Sequence, residues 1–341
     1  MIPSSGIAAF LRRHPVFLLA LLTPGIPEYL SSSSPLNSVI LNPAFFPIQL
    51  VLNLGLYTPG ALLIREATIR WHKGFASVMI MGVAYGILEE GVALSTLFYS
   101  KAAPVGSLGY YGHYAGVNWV WVAGILPFHA IFSITVPIVL LGLALPQTTG
   151  ESFLQGKKLP AAIAVLVIDV IFLMFFVYEV TKFWMGGSIL IGSLATIAIL
   201  VYIARRTPAD AGKPKESLHT RSSRTAFVVG VALWPVAVLS QSIPDSAGVP
   251  AALDFILVAA IQSLFMIYIL RTLIQNNTRQ ELALFIGLIL PIAVFGFISE
   301  LPLPVILVAD LAFALFFRKL LHTYPEGLSH QSAVTQQNSQ S

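Results

Sequence analysis

Two adjacent carboxyls, Glu89 and Glu90, and one imidazole, His129, stand inside otherwise apolar stretches of a 341-residue chain. A carboxylate and an imidazole within hydrogen-bond reach can act together as a general base on water. A titratable group inside hydrocarbon costs several kcal/mol unless it is paired or neutralised, so each one is a candidate for function. Around the acid pair, Gly82, Gly86 and Glu90 recur every four residues and share one helix face. Small residues on that face let a second helix approach closely and bring Glu90 against it. Glu89 points about 100° away around the same helix. Two neighbouring carboxyls in a low dielectric are not expected to stay ionised together.

The partner is expected on the next span. Asn118, Val122, Ile125, His129 and Ser133 fall on one helix face, a polar stripe of Asn, His and Ser on an apolar helix. At 1.5 Å per residue, His129 lies roughly 16 Å below the outer end of its span and Glu90 roughly 12 Å below the outer end of its own, which makes them compatible in depth. The connection 102–117, with Gly106, Gly109, Tyr110, Tyr111, Gly112 and His113, reads as a structured outer loop roofing the site. His113 is either a third polar partner or a surface residue in an aromatic interfacial belt. Asp169, midway along a later span, and Asp310 belong to the same cavity or to a proton path. Arg65 and Glu66 read as an ion-pair network at the inner interface, with Arg65 reaching to headgroups. Asp254, near an outer helix end, carries little functional weight.

These groups need membrane helices to hold them. Hydrophobic residues make up 56% of the chain and charged ones only 10%, with a mean hydropathy of +0.82, against about 25% charged residues in ordinary soluble domains. Such a chain takes lipid as its solvent. The fold class is therefore all-α, a polytopic transmembrane bundle of about ten spans, near 15–31, 47–69, 76–98, 118–143, 159–180, 184–204, 225–241, 249–271, 281–299 and 302–318. The turn Glu300-Leu301-Pro302 suits a tight hairpin between the last two.

Sixteen of the 19 Lys and Arg residues fall on alternate connections, and only Lys101 and Lys182 on the others. This places both termini in the cytoplasm, most simply at the plasma membrane of a prokaryote. The basic balance (net charge +4) is thus topological, and no nucleic-acid partner is implied. Arg12-Arg13 before the apolar run 16–22 also resembles a signal peptide, and Thr23-Pro24-Gly25-Ile26-Pro27 must break or kink the first helix. Residues 1–324 form one membrane domain, with six spans before and four after a polar cytoplasmic linker at 207–223. Residues 325–341 read as a disordered tail. The absence of cysteine excludes disulfides and thiolate chemistry. No nucleotide, phosphate-loop or haem pattern is present, no metal ligand set stands out, and the cofactor stays open.

Glu89-Glu90, followed by Phe128-His129 with Ser133 four residues on, resembles the CAAX-protease and bacteriocin-processing (CPBP) family of intramembrane glutamate peptidases over residues 76–143. That family carries EExxxR on one membrane helix and FxxxH and HxxxN motifs on later ones. Here Leu94 or Ser95 stands at the Arg position, and Gly109 four residues before His113. The resemblance implies an intramembrane hydrolase that uses Glu89, Glu90 and His129 to activate water; His113, Asn118, Ser133 and Asp169 are the candidate binding groups from their positions along the chain. Its partners would be membrane lipids and a membrane-embedded peptide or small molecule. Two other readings stay open. One is a proton-coupled transporter or lipid-handling protein, suggested by Pro59-Gly60, Pro127, Pro235 and the intramembrane acids. The other is a structural polar network without catalysis.

Overall fold

The computed structural model describes residues 6–213 and 222–324. The 325–341 tail and the 214–221 part of the linker lie outside the described residues. Among the described residues the regular structure is helical apart from one short hairpin, β1 (His113–Tyr114) against β2 (Val117–Asn118).

In chain order, a short α1 (Gly6–Arg13) leads into α2 (Pro15–Pro24), and after a four-residue α3 (Ser38–Leu41) comes the long α4 (Phe46–Arg70). Next are α5 (Phe75–Gly86), then α6 (Trp119–Phe128) and α7 (Val136–Ala144), which lie on one continuous rod. The remaining helices are α8 (Lys158–Thr181), α9 (Gly187–Arg206), α10 (Ser223–Ser246), α11 (Ala251–Ile274), α12 (Thr278–Ser299) and α13 (Leu307–Thr323). Among the described residues, eight helical rods are long and apolar enough to cross a membrane. The two expected spans that fall short are the first, where α2 and its continuation cover 15–29, and the last, α13, with 17 residues. At 1.5 Å per residue these reach about 23–26 Å, less than the roughly 30 Å of a hydrocarbon core. The connection before α13 runs from Glu300 to Ile306, so the hairpin is looser than a three-residue turn.

Two rods form the centre. In the 75–93 and 119–144 rods 72% of the apolar window is buried, against 17% in α8 and 11% in α9. The peripheral helices turn Ile168, Phe172, Ile191 and Leu264 outward, as expected where lipid is the solvent. The segment that resembles a leader is packed into the core: Leu19, Ile26 and Leu30 are fully buried. On the far side of the bundle, α10 and α12 cross at glycines. A Cβ on Gly230 would stand 2.5 Å from the Leu284 carbonyl, and one on Gly287 2.3 Å from that of Phe227.

The cationic connections collect at one end of the bundle. Arg70 Nη2 donates to the Leu154 carbonyl (2.7 Å), Arg13 and Lys158 line one cavity, and Gly74 lies against Ala209. The first part of the expected flexible linker is therefore packed against the start of α5. At the other end, next to Lys101 and Lys182, Tyr99 stacks on Phe183 at 4.7 Å.

Arg65 and Glu66 serve the cationic end differently from the ion-pair expectation. Arg65 is buried, donates to the carbonyls of Thr148 (2.6 Å) and Glu151 (2.9 Å), and lies 3.7 Å over the Phe153 ring. Glu66 pairs instead with Arg70 (2.6 Å) and accepts from Ser152 Oγ and the Phe153 and Leu154 amides. The connection after α7 offers a ring of carbonyls and amides that neutral lipid cannot satisfy, so these two side chains are held inward to it.

The glycine crossing is directly testable. Gly287→Leu should destabilise the protein by about 1–3 kcal/mol through overpacking, read as a lower thermal midpoint in detergent, whereas Val294→Leu on the exposed face of α12 should leave the midpoint unchanged.

Candidate active site

Three helices lose their regular winding where the titratable groups sit. After Pro24, α2 continues as a π-helical turn, Gly25–Tyr29, closed by Leu30 N donating to the Gly25 carbonyl (2.9 Å). After Gly86, α5 continues as Ile87–Ala93, with Leu94 N donating to the Glu89 carbonyl (2.9 Å). Between α6 and α7 lies His129–Thr135, ending with the Val136 amide on the Ile131 carbonyl. Pro24 and Pro127 lack the amide that would continue the i−4 ladder, and Gly86 stiffens its backbone least, so each segment yields at these points. The first helix bends its hydrogen-bond pattern at Pro24–Pro27 without breaking. Short π-turns are rare and occur often at functional sites. Here one carries Glu28, the second Glu89 and Glu90, and the third His129 and Ser133.

The rods meet closely enough for these side chains to touch. A Cβ on Gly82 would lie 2.7 Å from Ala130 Cα, and one on Gly86 3.3 Å from His129 Cβ. His129 is then clasped between the two acids. Its Nδ1 is 3.1 Å from Glu89 Oε2 and its Nε2 3.0 Å from Glu90 Oε1. Ser133 Oγ is 2.9 Å from Nδ1. Glu89, Glu90, His129 and Ser133 are all buried.

Glu28, Tyr57, Tyr85 and Thr96 complete the cluster, and none of them was singled out by sequence reasoning. The Tyr57 hydroxyl bonds to Glu28 Oε1 (2.6 Å) and makes a short contact to Glu89 Oε1. A phenol has one proton to give. Both contacts are satisfied only when one of the two carboxyls itself carries a proton and donates to the phenol oxygen. Glu28 is further held by Ser34 Oγ (2.7 Å), which accepts from Asn53 Nδ2 (3.0 Å). Tyr85 sets its ring edge-on to His129 at 6.3 Å. On the other flank, Thr96 Oγ1 donates to Glu90 Oε2 in a short contact, and Trp121 Nε1 donates to Thr96 (3.3 Å). Glu28 carried the same signal as Glu89, a charge inside the apolar run 15–31. The Tyr and Thr members carried none, because hydroxyls are common in membrane helices.

The remaining candidates are placed less centrally. Asn118, buried, donates through Nδ2 to the Thr96 carbonyl (2.7 Å), and its Oδ1 accepts from His113 Nδ1 (2.6 Å). His113 itself is exposed and outside the buried cluster. It touches the cluster through Asn118, which bonds the Thr96 carbonyl. Asp169 is buried on α8 and lies against Gly55 of α4, where a Cβ would stand 2.7 Å from its Oδ1. Asp310 lines a separate groove between α12 and α13.

The ligand atoms of Glu89, Glu90 and His129 all lie within 4.8 Å of one another, near enough to hold a metal ion. The two carboxylates, however, occupy opposite nitrogens of one ring. This arrangement also suits proton exchange along carboxyl–imidazole–carboxyl. Beside it lies a cavity of about 200 Å³, whose wall includes Phe128, Trp121, Gln241 and Gln262. It borders the segment that carries His129 and connects to Glu90 through Trp121 and Thr96.

Residues 17–323 match the model of a family described as an uncharacterized membrane protein family. No curated protein and no solved structure matches the chain.

The clasp around His129 predicts unequal costs for its parts. His129→Ala, which leaves two acids facing an empty space, should destabilise the protein by about 3–5 kcal/mol. Ser133→Ala, which removes one neutral hydrogen bond, should cost about 1 kcal/mol. Denaturant unfolding in mixed micelles reads both.

Proposed function

The chain belongs to this uncharacterized membrane protein family, and from that premise we propose that it is an intramembrane hydrolase of the peptidase type. The supporting observation is the buried Glu89–His129–Glu90 clasp on two π-turns inside membrane-spanning rods. In this reading Glu90, which is linked to the cavity wall through Thr96 and Trp121, takes a proton from water as the water oxygen attacks a peptide carbonyl carbon. His129 and Glu90 return that proton to the amine nitrogen as the C–N bond breaks. Glu89 holds the imidazole from behind, and Tyr57 and Glu28 fix Glu89. The arrangement parallels the paired acids and later His of the CPBP glutamate peptidases, although the Arg of their first motif has no counterpart on this helix. The same reading places both ends on the cytoplasmic face of a prokaryotic plasma membrane, by the cations gathered at one end of the bundle.

Proton-coupled transport is the second reading. It is supported by the chain of close polar contacts Glu28–Tyr57–Glu89–His129–Glu90, in which Glu89 Oε2 stands 3.1 Å from His129 Nδ1, with Asp169 Oδ2 buried and without a hydrogen bond among the described residues.

The two separate in reconstituted vesicles. With a library of fluorogenic transmembrane peptides, the wild-type protein should cleave a subset, and Glu90→Gln should lower that rate by about 10²–10⁴-fold, the usual worth of a general base. Cleavage should survive a chelator; loss on chelation would reassign the clasp to a metal. Unchanged cleavage in Glu90→Gln sinks the hydrolase. Solute uptake driven by a pH gradient and lost in Asp169→Asn would establish the transporter.

A further inference from the structure

The largest cavity among those described lies away from the clasp. It is a trough of about 700 Å³ between α12 and α13, with Leu30 at its floor. Its walls are aliphatic and aromatic side chains, among them Ile286, Leu290, Ala293, Phe313 and Phe317, and Leu290 and Val294 are exposed along its rim, where lipid would lie. The two helices run antiparallel, so the start of α12 meets the end of α13. Arg279, Arg318 and His322 therefore gather at one mouth, while Phe297 marks the other, roughly 27 Å along α12 at 1.5 Å per residue, and Asp310 stands part-way between, roughly 12 Å along α13 from Arg318.

The charges at the cationic mouth are unspent. Among the described residues neither Arg279, Arg318 nor His322 has an acidic partner within salt-bridge distance. Arg279 Nε is buried and has no hydrogen-bond partner there. A buried guanidinium nitrogen without an acceptor is costly, and an anion at this mouth would supply the acceptor. The apolar length of the trough in turn needs a hydrocarbon occupant. Asp310, further along the groove, with Oδ1 buried and without a hydrogen bond among the described residues, repels an anion and keeps the headgroup at the arginine end.

We propose that this trough is a binding site for an anionic phospholipid, its phosphate held by Arg279 and Arg318 and one acyl chain laid between α12 and α13. The ligand closes a seam that protein side chains leave open between α12 and α13. The site is independent of the clasp at His129.

The protein purified from bilayers holding phosphatidylglycerol and phosphatidylcholine in equal amounts, then stripped with detergent, should retain phosphatidylglycerol over phosphatidylcholine by about tenfold or more. That scale follows from two arginines near an anionic headgroup. Arg279→Gln with Arg318→Gln should abolish the preference. Ala293→Trp, which fills the trough and leaves both arginines in place, should lose the retained lipid while a thermal midpoint close to wild type shows that the fold persists. Equal retention of the two lipids by the wild type, or an unchanged preference in either variant, overturns the proposal. So does displacement of the lipid by millimolar inorganic phosphate, which would mark a site for free phosphate. Mass spectrometry of the co-purified lipid reads every arm.

Discussion

A carboxyl group cannot be left alone in hydrocarbon, and this bundle holds three of them around one imidazole. Glu89 and Glu90 meet the two nitrogens of His129, and Glu28 joins them through Tyr57, so the cluster draws on several helices at once. That requirement dictates much of the interior. Tyr57 on α4 has to span Glu28 and Glu89, Thr96 has to turn back onto Glu90, and glycines at 82 and 86 have to thin one rod so that the other can bring the ring in. The helices that carry none of these groups are free to sit outside, where they meet lipid with the same apolar side chains they would use anywhere.

Regular α-helices would not have met the requirement. A straight helix presents neighbouring residues about 100° apart, so Glu89 and Glu90 on an ideal helix would diverge, one toward the imidazole and one away. The π-turn over 87–93 widens the local winding and lets both acids reach the two nitrogens of a single ring. A second π-turn places His129 and Ser133 so that the hydroxyl supports the ring nitrogen already shared with Glu89. The loosened winding and the polar cluster are thus two sides of one solution.

Much of this was readable beforehand, for identifiable reasons. Membrane character and helical class follow from composition, and the pairing of the third and fourth spans follows from a stripe of small residues opposite a stripe of polar ones. The gathering of cations at one end was legible from charge alternation. Glu28 carries the same signal as Glu89, a charge in an apolar run, and directly follows the helix-bending Pro24-Gly25-Ile26-Pro27. Tyr57 and Thr96 were invisible, since nothing local distinguishes a hydroxyl that completes a buried network from one that bonds its own helix, as Thr68 and Thr181 do. The inward turn of Arg65 was hidden as well, because it answers to carbonyls more than eighty residues further along the chain.

The three π-turns also alter how the rods should be compared between relatives. A π-turn is geometrically an α-helix with one residue inserted, and that residue shifts the angular phase of everything beyond it. Upstream of His129 and downstream of Thr135 the same rod therefore presents faces that no single helical wheel can describe. Among members of the family, a one-residue gap within a membrane span would then be an ordinary kind of variation. It would mark where a relative has wound the turn back into register and so reorganised the cluster, even with every acid and the histidine still present in its sequence.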